Sequence, residues 1–415
     1  MTEFKTNPFP NYQEIPRVLP SAIWWVLRVA VLLATAGIIY LIAIDPEQGG
    51  ILFWAIVIPS LPLLFTVAPG IWRQVCPMAL LNQLPRTLGI SRGYRLPAWA
   101  KNTAFLIATT SFFIVVSLRH LFFNENALSL LILLFLALGL SLLGGFLFAG
   151  RSGWCGTFCP LAPIQKAYGH APILLVGNGY CETCVGCQKN CYDFNPKAAL
   201  LTDLADEDPW FARHKLFFVA ALPGFAFAFF TADPVHETGL FAYYRYIFGW
   251  IVTSMGFFFI CRSYVRLSHF RAATFAAMLA LVLFYGFTAE GIITAAAGFL
   301  SLTPPVFLDE VLIGVVASVA ARVLWNGYVA EKDFAALQVG KISSQVSVGV
   351  DKAMVALAKD ASKTMITDIA SGRSFVGHPE KSTLESIEAA GLPIDSGCRM
   401  GACGADPVVI VSGEE

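Results

Sequence analysis

The stretch Ser21-Ala-Ile-Trp-Trp-Val-Leu-Arg-Val-Ala-Val-Leu-Leu-Ala-Thr-Ala-Gly-Ile-Ile-Tyr-Leu-Ile-Ala-Ile44 decides the fold class. A hydrocarbon core of about 30 Å needs about 20 apolar residues at 1.5 Å each. The run meets that length and exceeds the core of a cleavable signal peptide, so it reads as a first membrane anchor. Working outward, further apolar segments lie at roughly 51–69, 102–119, 126–149, 216–232, 241–261, 272–289 and 306–325. The expected fold is an α-helical polytopic membrane protein with about eight spans. Composition agrees: 56% of the 415 residues are hydrophobic and 13% charged, against about 25% charged in soluble domains. Lysine plus arginine balance aspartate plus glutamate at 28 each, so no global field points to nucleic acid.

Basic residues of short loops stay in the cytoplasm. Arg73, Arg86, Arg92, Arg95 and Lys101 fill the second loop, and Arg151, Lys166, Lys189, Lys197, Arg213 and Lys215 the fourth. Arg262, Arg266 and Arg271 fill the sixth, whereas 45–50, 232–240 and 290–305 contain no Lys or Arg. Both termini are therefore expected in the cytoplasm of a bacterial inner membrane protein. Cys76, Cys155, Cys159, the group from Cys181 to Cys191 and Cys261 then share one reducing face.

Seven of the ten cysteines lie between Cys76 and Cys191, grouped as for metal rather than spread as a disulfide framework. Cys181-Glu-Thr-Cys184-Val-Gly-Cys187-Gln-Lys-Asn-Cys191 has the C-x2-C-x2-C-x3-C spacing that holds [4Fe–4S] clusters. A structural zinc site is the competing reading, although zinc ribbons separate their Cys pairs by a longer excursion. Tyr192 stands where such runs usually carry proline. Either Cys191 closes its own cluster, or Cys159 or Cys76 does so and a second cluster forms from the remaining cysteines.

A partial repeat accompanies this run. The first two helices lead into Trp72-Arg-Gln-Val-Cys76-Pro77-Met-Ala, and the next two into Cys155-Gly-Thr-Phe-Cys159-Pro160-Leu-Ala. The paired hairpins, the motif Gly150-Arg151-Ser-Gly-Trp154-Cys155-Gly-Thr-Phe-Cys159-Pro160-Leu and the cysteine run resemble the membrane polyferredoxins over roughly residues 50–200. That family contains the quinol-dehydrogenase subunits of periplasmic nitrate reduction and the regulator of nitrous oxide reduction. The resemblance implies electron transfer at the membrane surface between a cytoplasmic donor or a quinone pool and a redox partner protein. The first motif departs from the family by carrying one cysteine rather than two, and the ferredoxin run occurs once.

Beyond Trp325 the composition turns polar, giving the expected division 1–20 cytoplasmic segment, 21–325 membrane domain with cluster-binding loops 70–101 and 150–215, 326–361 connector and 362–415 soluble domain. Met365-Ile-Thr-Asp-Ile and Arg373-Ser-Phe-Val-Gly read as a hairpin joined at Ser371-Gly372. Ser382-Thr-Leu-Glu385 reads as a capping box and Gly391 as a helix stop. With Gly397-Cys398-Arg-Met-Gly401-Ala-Cys403-Gly404-Ala-Asp406-Pro407, this order resembles the β-grasp of plant-type [2Fe–2S] ferredoxins. Cys398 and Cys403 fit the first two positions of the C-x4-C-x2-C spacing, with Asp406 at the third. A fourth ligand is expected beyond Glu415.

Other features are assigned structural roles. The histidines do not pair inside the bilayer as a b-type haem requires. Glu290 is expected near the far interface, Arg245 in an aromatic belt, and Gly144-Gly145 at a close helix contact. No nucleotide loop or nucleophile with its base is present. The primary expectation is a membrane-bound iron–sulfur electron carrier, a candidate electron-transfer subunit of an oxidoreductase, with one or two [4Fe–4S] clusters and one [2Fe–2S] cluster. The alternative is a redox sensor or metal-centre assembly factor using the same ligands.

Overall fold

A computed structural model describes residues 19–94, 96–124, 126–148, 153–177, 200–201, 204, 209–358, 365–368 and 373–376. Its helices are α1 (Ser21–Ile44), α2 (Pro46–Val67), α3 (Pro69–Val75), α4 (Pro77–Thr87), α5 (Ala98–Ser117) and α6 (Ala127–Leu147). They continue as α7 (Leu161–Tyr168), α8 (Pro209–Thr231), α9 (Val235–Thr238), α10 (Leu240–Val265), α11 (His269–Phe299) and α12 (Leu308–Ala358). The chain divides into two compact units, a larger one reaching Glu331 and a smaller one from Lys332 onward.

Among the described residues, seven helices are long and apolar enough to cross a membrane: α1, α2, α5, α6, α8, α10 and α11. The molecule is a helical multi-pass membrane protein. Their outer faces support this, with Val26, Leu33, Leu128, Phe135 and Phe248 all exposed, as lipid-facing residues are. The eighth expected span is helical from Leu308 but is not among the seven. It forms the start of α12, which runs without a break through most of the segment read as a connector. Polar residues after Trp325 change what the helix faces, not its backbone, because no proline intervenes. Likewise α11 passes its expected end and reaches Phe299, since Gly291 and Gly298 are tolerated within apolar helices.

Two spans contain internal prolines, and in each a hydroxyl from a neighbouring helix bonds the backbone beside them. In α2 a π-helical stretch, Leu52–Val57, precedes Pro59 and Pro62. Tyr285 of α11 enters the ladder there: its hydroxyl accepts from the Leu63 N–H at 3.2 Å and donates to the Pro59 carbonyl. In α8 Ser254 of α10 donates to the Ala220 carbonyl at 2.7 Å, next to the Val219 carbonyl that Pro223 leaves open. Backbone groups in lipid have no water to turn to, so hydroxyls of neighbouring helices are their natural partners beside such prolines. Gly224 permits this contact, because a Cβ there would lie 2.1 Å from the Trp250 carbonyl oxygen.

The main core joins α2, α7, α8, α11 and the start of α12 around Phe65, Tyr168, Phe218, Met278, Leu281 and Val323. In the smaller unit, Met365–Asp368 (β1) pairs antiparallel with Arg373–Val376 (β2), Ile366 opposite Phe375. Both strands agree with the hairpin read from the sequence. The capping box and the Cys398 to Asp406 segment lie outside the described residues.

Candidate metal centre

Cys76 sits at a corner between two helices. Its N–H closes α3 on the Trp72 carbonyl at 2.8 Å, and its carbonyl opens α4 by accepting from Leu80 at 3.0 Å. Pro77 makes that corner, because a proline fits the first turn of a helix and forces the residue before it into extended backbone. Cys76 adopts φ −53 and ψ 121. The second motif turns more tightly. The N–H groups of Thr157, Phe158 and Cys159 all reach the Trp154 carbonyl at 3.0–3.1 Å, and α7 follows Pro160.

The halves interlock by exchange. Helix α4, which follows Cys76, packs on α6, which leads to the second motif. Helix α7, which follows Cys159, packs on α2, which leads to the first. The α4–α6 contact is backbone-close: a Cβ on Gly145 would lie 1.8 Å from the Asn82 carbonyl oxygen. Gly145 thus packs helix on helix as expected, whereas Gly144 meets the loop of the second motif, where its Cβ would lie 2.7 Å from the Gly153 carbonyl oxygen. Asn82 Nδ2 donates to the Ser141 carbonyl at 2.9 Å. Beyond α4 the chain caps α6, its Arg92 and Tyr94 N–H groups reaching Phe146 and Leu147 carbonyls at 2.7 and 2.8 Å. These satisfy acceptors that a helix end otherwise leaves open.

This exchange brings Cys76 close enough to Cys159 to oppose its ionisation. Cys159 is buried, and burial first, then Cys76, pushes its thiol up to about 12. The Leu161 and Ala162 N–H groups act the other way by hydrogen bonding to its sulfur. Cys159 is therefore a thiol at neutral pH, and a bound metal would displace its proton. Two further donors lie beside the motifs. The indole N–H groups of Trp72 and Trp154 are buried and have no acceptor among the described residues. Sulfur ligands and inorganic sulfide accept such bonds, so this chemistry fits an iron–sulfur centre.

The chain approaching the cysteine run is fixed against the first motif. Leu174 N–H donates to the Val67 carbonyl at 2.8 Å, and Gln74 Nε2 donates to the Gly177 carbonyl. Gly70 meets Val176 so closely that a Cβ would lie 2.3 Å from its carbonyl oxygen. Gln74 is itself held by Arg28 of α1, whose Nε and Nη2 donate to its carbonyl and Oε1 at 2.9 and 2.6 Å. Sequence reasoning passed over Arg28 and Gln74. The available signal was a guanidinium inside the first span, where a charge implies a specific partner.

Gln83 was also missed. It is buried on α4, seven positions and about two turns from Cys76, and neither end of its amide is hydrogen-bonded among the described residues. His170, one of the face's histidines, is fully occupied instead. Its Nδ1 donates to the Ala167 carbonyl at 2.8 Å and its Nε2 lies 2.9 Å from Thr274 Oγ1. Burial holds it down to about 4, hence neutral.

Among the described residues no three His, Cys, Asp or Glu side chains converge as a metal site. Cys76 and Cys159 are brought together; Cys155 lies in the same turn as Cys159, and Cys261 near the end of α10. Cys181, Cys184, Cys187 and Cys191, like Cys398, Cys403 and Asp406, lie outside the described residues. No family model, curated protein or solved structure matches the chain.

Proposed function

We propose that the chain is a membrane-embedded iron–sulfur electron-transfer protein of the bacterial inner membrane, with its termini and its cysteine face in the cytoplasm. The observation that carries this reading is the pair of Cys-Pro corners, with buried Cys159 near Cys76 and two buried indole donors that lack acceptors among the described residues. Gly177, tied to Gln74, precedes Cys181 by four residues, a reach of about 14 Å at most. The first thiolate of the C-x2-C-x2-C-x3-C run is therefore within chain reach of the Cys76 corner.

In this reading Cys181, Cys184, Cys187 and Cys191 supply the main ligands, with Cys76, Cys155 and Cys159 completing one or two cubane sites. A cluster held there would supply reversible one-electron transfer. The chain's part is to fix ligand positions, exclude water through α2, α6 and α7, and offer the Trp72 and Trp154 donors. Cys398, Cys403 and Asp406 would serve a [2Fe–2S] centre in the smaller unit. The electron partners are a quinone or a redox protein.

Anaerobic purification with iron, sulfide and zinc analysis, followed by EPR of the reduced protein, tests this. The expected result is brown protein with iron and sulfide in equal amounts. Cys184→Ser is expected to abolish the cubane signal while membrane insertion persists. Colourless protein with stoichiometric zinc overturns the reading.

A further inference from the structure

At the opposite end of α8 and α10 lies an open cavity of about 600 Å³, formed where one span ends and the next begins. Its lining carries two opposite charges, Asp233 and Arg245. Among the described residues neither makes an ion pair or hydrogen bond. The rim is fixed by Thr231 Oγ1 and the Tyr246 hydroxyl at 3.0 Å. Below it, along α10, the lining continues through Gly249 and Trp250. No atom comes within 4 Å of where a Gly249 Cβ would stand, so the surface of α10 is open there.

We propose that this cavity binds a zwitterionic aminophospholipid, its phosphate on Arg245, its ammonium on Asp233 and one acyl chain beside Gly249 and Trp250. A guanidinium matches phosphate as a forked donor. The nearby carboxylate disfavours a purely anionic head group and accepts from a primary ammonium. A lone cation would face the guanidinium, and a simple anion the carboxylate; a zwitterion answers both. Interfacial tyrosine and tryptophan suit the head-group depth. This inference is independent of the cysteine face.

Native mass spectrometry of the delipidated full chain, with phosphatidylethanolamine, phosphatidylcholine and phosphatidylglycerol added back, tests it. Phosphatidylethanolamine is expected to bind most tightly, because a quaternary ammonium cannot donate to Asp233 and a glycerol head carries no cation. Arg245→Gln is expected to weaken phosphatidylethanolamine about tenfold, as loss of one charge-assisted contact does. Asp233→Asn should erase its preference over phosphatidylglycerol. Both residues are exposed, so folding is not at risk, and an unchanged thermal midpoint checks this. Equal binding of the three lipids, or no change in either variant, overturns the proposal. Displacement by equimolar soluble glycerophosphoethanolamine would also overturn it, by assigning the cavity to a water-borne ligand.

Discussion

Tyr285→Phe removes one oxygen atom and nothing else, in a position where that oxygen serves two backbone groups of another helix. The ring is 2% exposed, and phenylalanine retains its packing, so the apolar contribution is unchanged. The Leu63 N–H loses its acceptor and the Pro59 carbonyl its donor. A buried group left without a partner costs about 1–3 kcal/mol. Hydrogen bonds between membrane helices average about 0.6 kcal/mol and reach about 1.7, because the unfolded chain in lipid also finds partners. For two bonds through one hydroxyl the expected destabilisation is about 1–2 kcal/mol. Reversible unfolding in mixed micelles with a denaturing detergent measures it. Tyr264→Phe, whose side chain is 86% exposed, is the matched control and should move stability by less than about 0.5 kcal/mol, as surface changes do. Equal effects of the two substitutions would refute the argument that the Tyr285 hydroxyl supports the backbone of α2 beside its prolines.

Gly145→Ala places a methyl 1.8 Å from a backbone oxygen, beyond the usual ~1–3 kcal/mol of overpacking, and is expected to prevent α4 from docking on α6. Gly139→Ala, on the same helix with nothing within 4 Å, should be neutral or slightly stabilising; cysteine accessibility to a maleimide separates the two. His170 is held near 4, below its ordinary 6.5. The unfolded chain therefore binds the proton first, and His170 contributes stability above about 6.5 that is lost as pH falls toward 4. The total is on the order of 3 kcal/mol, and His170→Asn should flatten the stability profile between pH 6.5 and 5. Arg28→Met should loosen the first motif by releasing the Gln74 carbonyl and amide, seen as faster proteolysis after α3 without loss of membrane insertion.

Much of this was legible in the chain. Apolar length alone placed seven spans, because a bilayer imposes one requirement on every crossing segment and that requirement is local. The Cys-Pro repeat and the Gly144-Gly145 contact were also legible, the latter because only the smallest residues allow helix backbones to approach. The end of the eighth span was not, since a helix can leave the apolar layer without any change in its own hydrogen bonding. Nor were Arg28, Gln74 and Gln83, whose partners or solitude depend on chain segments far away in sequence.

Sequence by itself determined that the protein crosses a membrane repeatedly and which residues have the chemistry to hold metal, since hydrophobic length and ligand spacing are properties of short stretches. Only the tertiary structure decided that Cys76 and Cys159 meet, through the exchanged packing of α4 on α6 and α7 on α2. It likewise decided that Tyr285 serves the backbone of α2 and that Asp233 and Arg245 share a cavity without pairing. Those facts depend on distances between segments separated by tens to hundreds of residues, and such distances are set by how helices pack rather than by what any one of them contains.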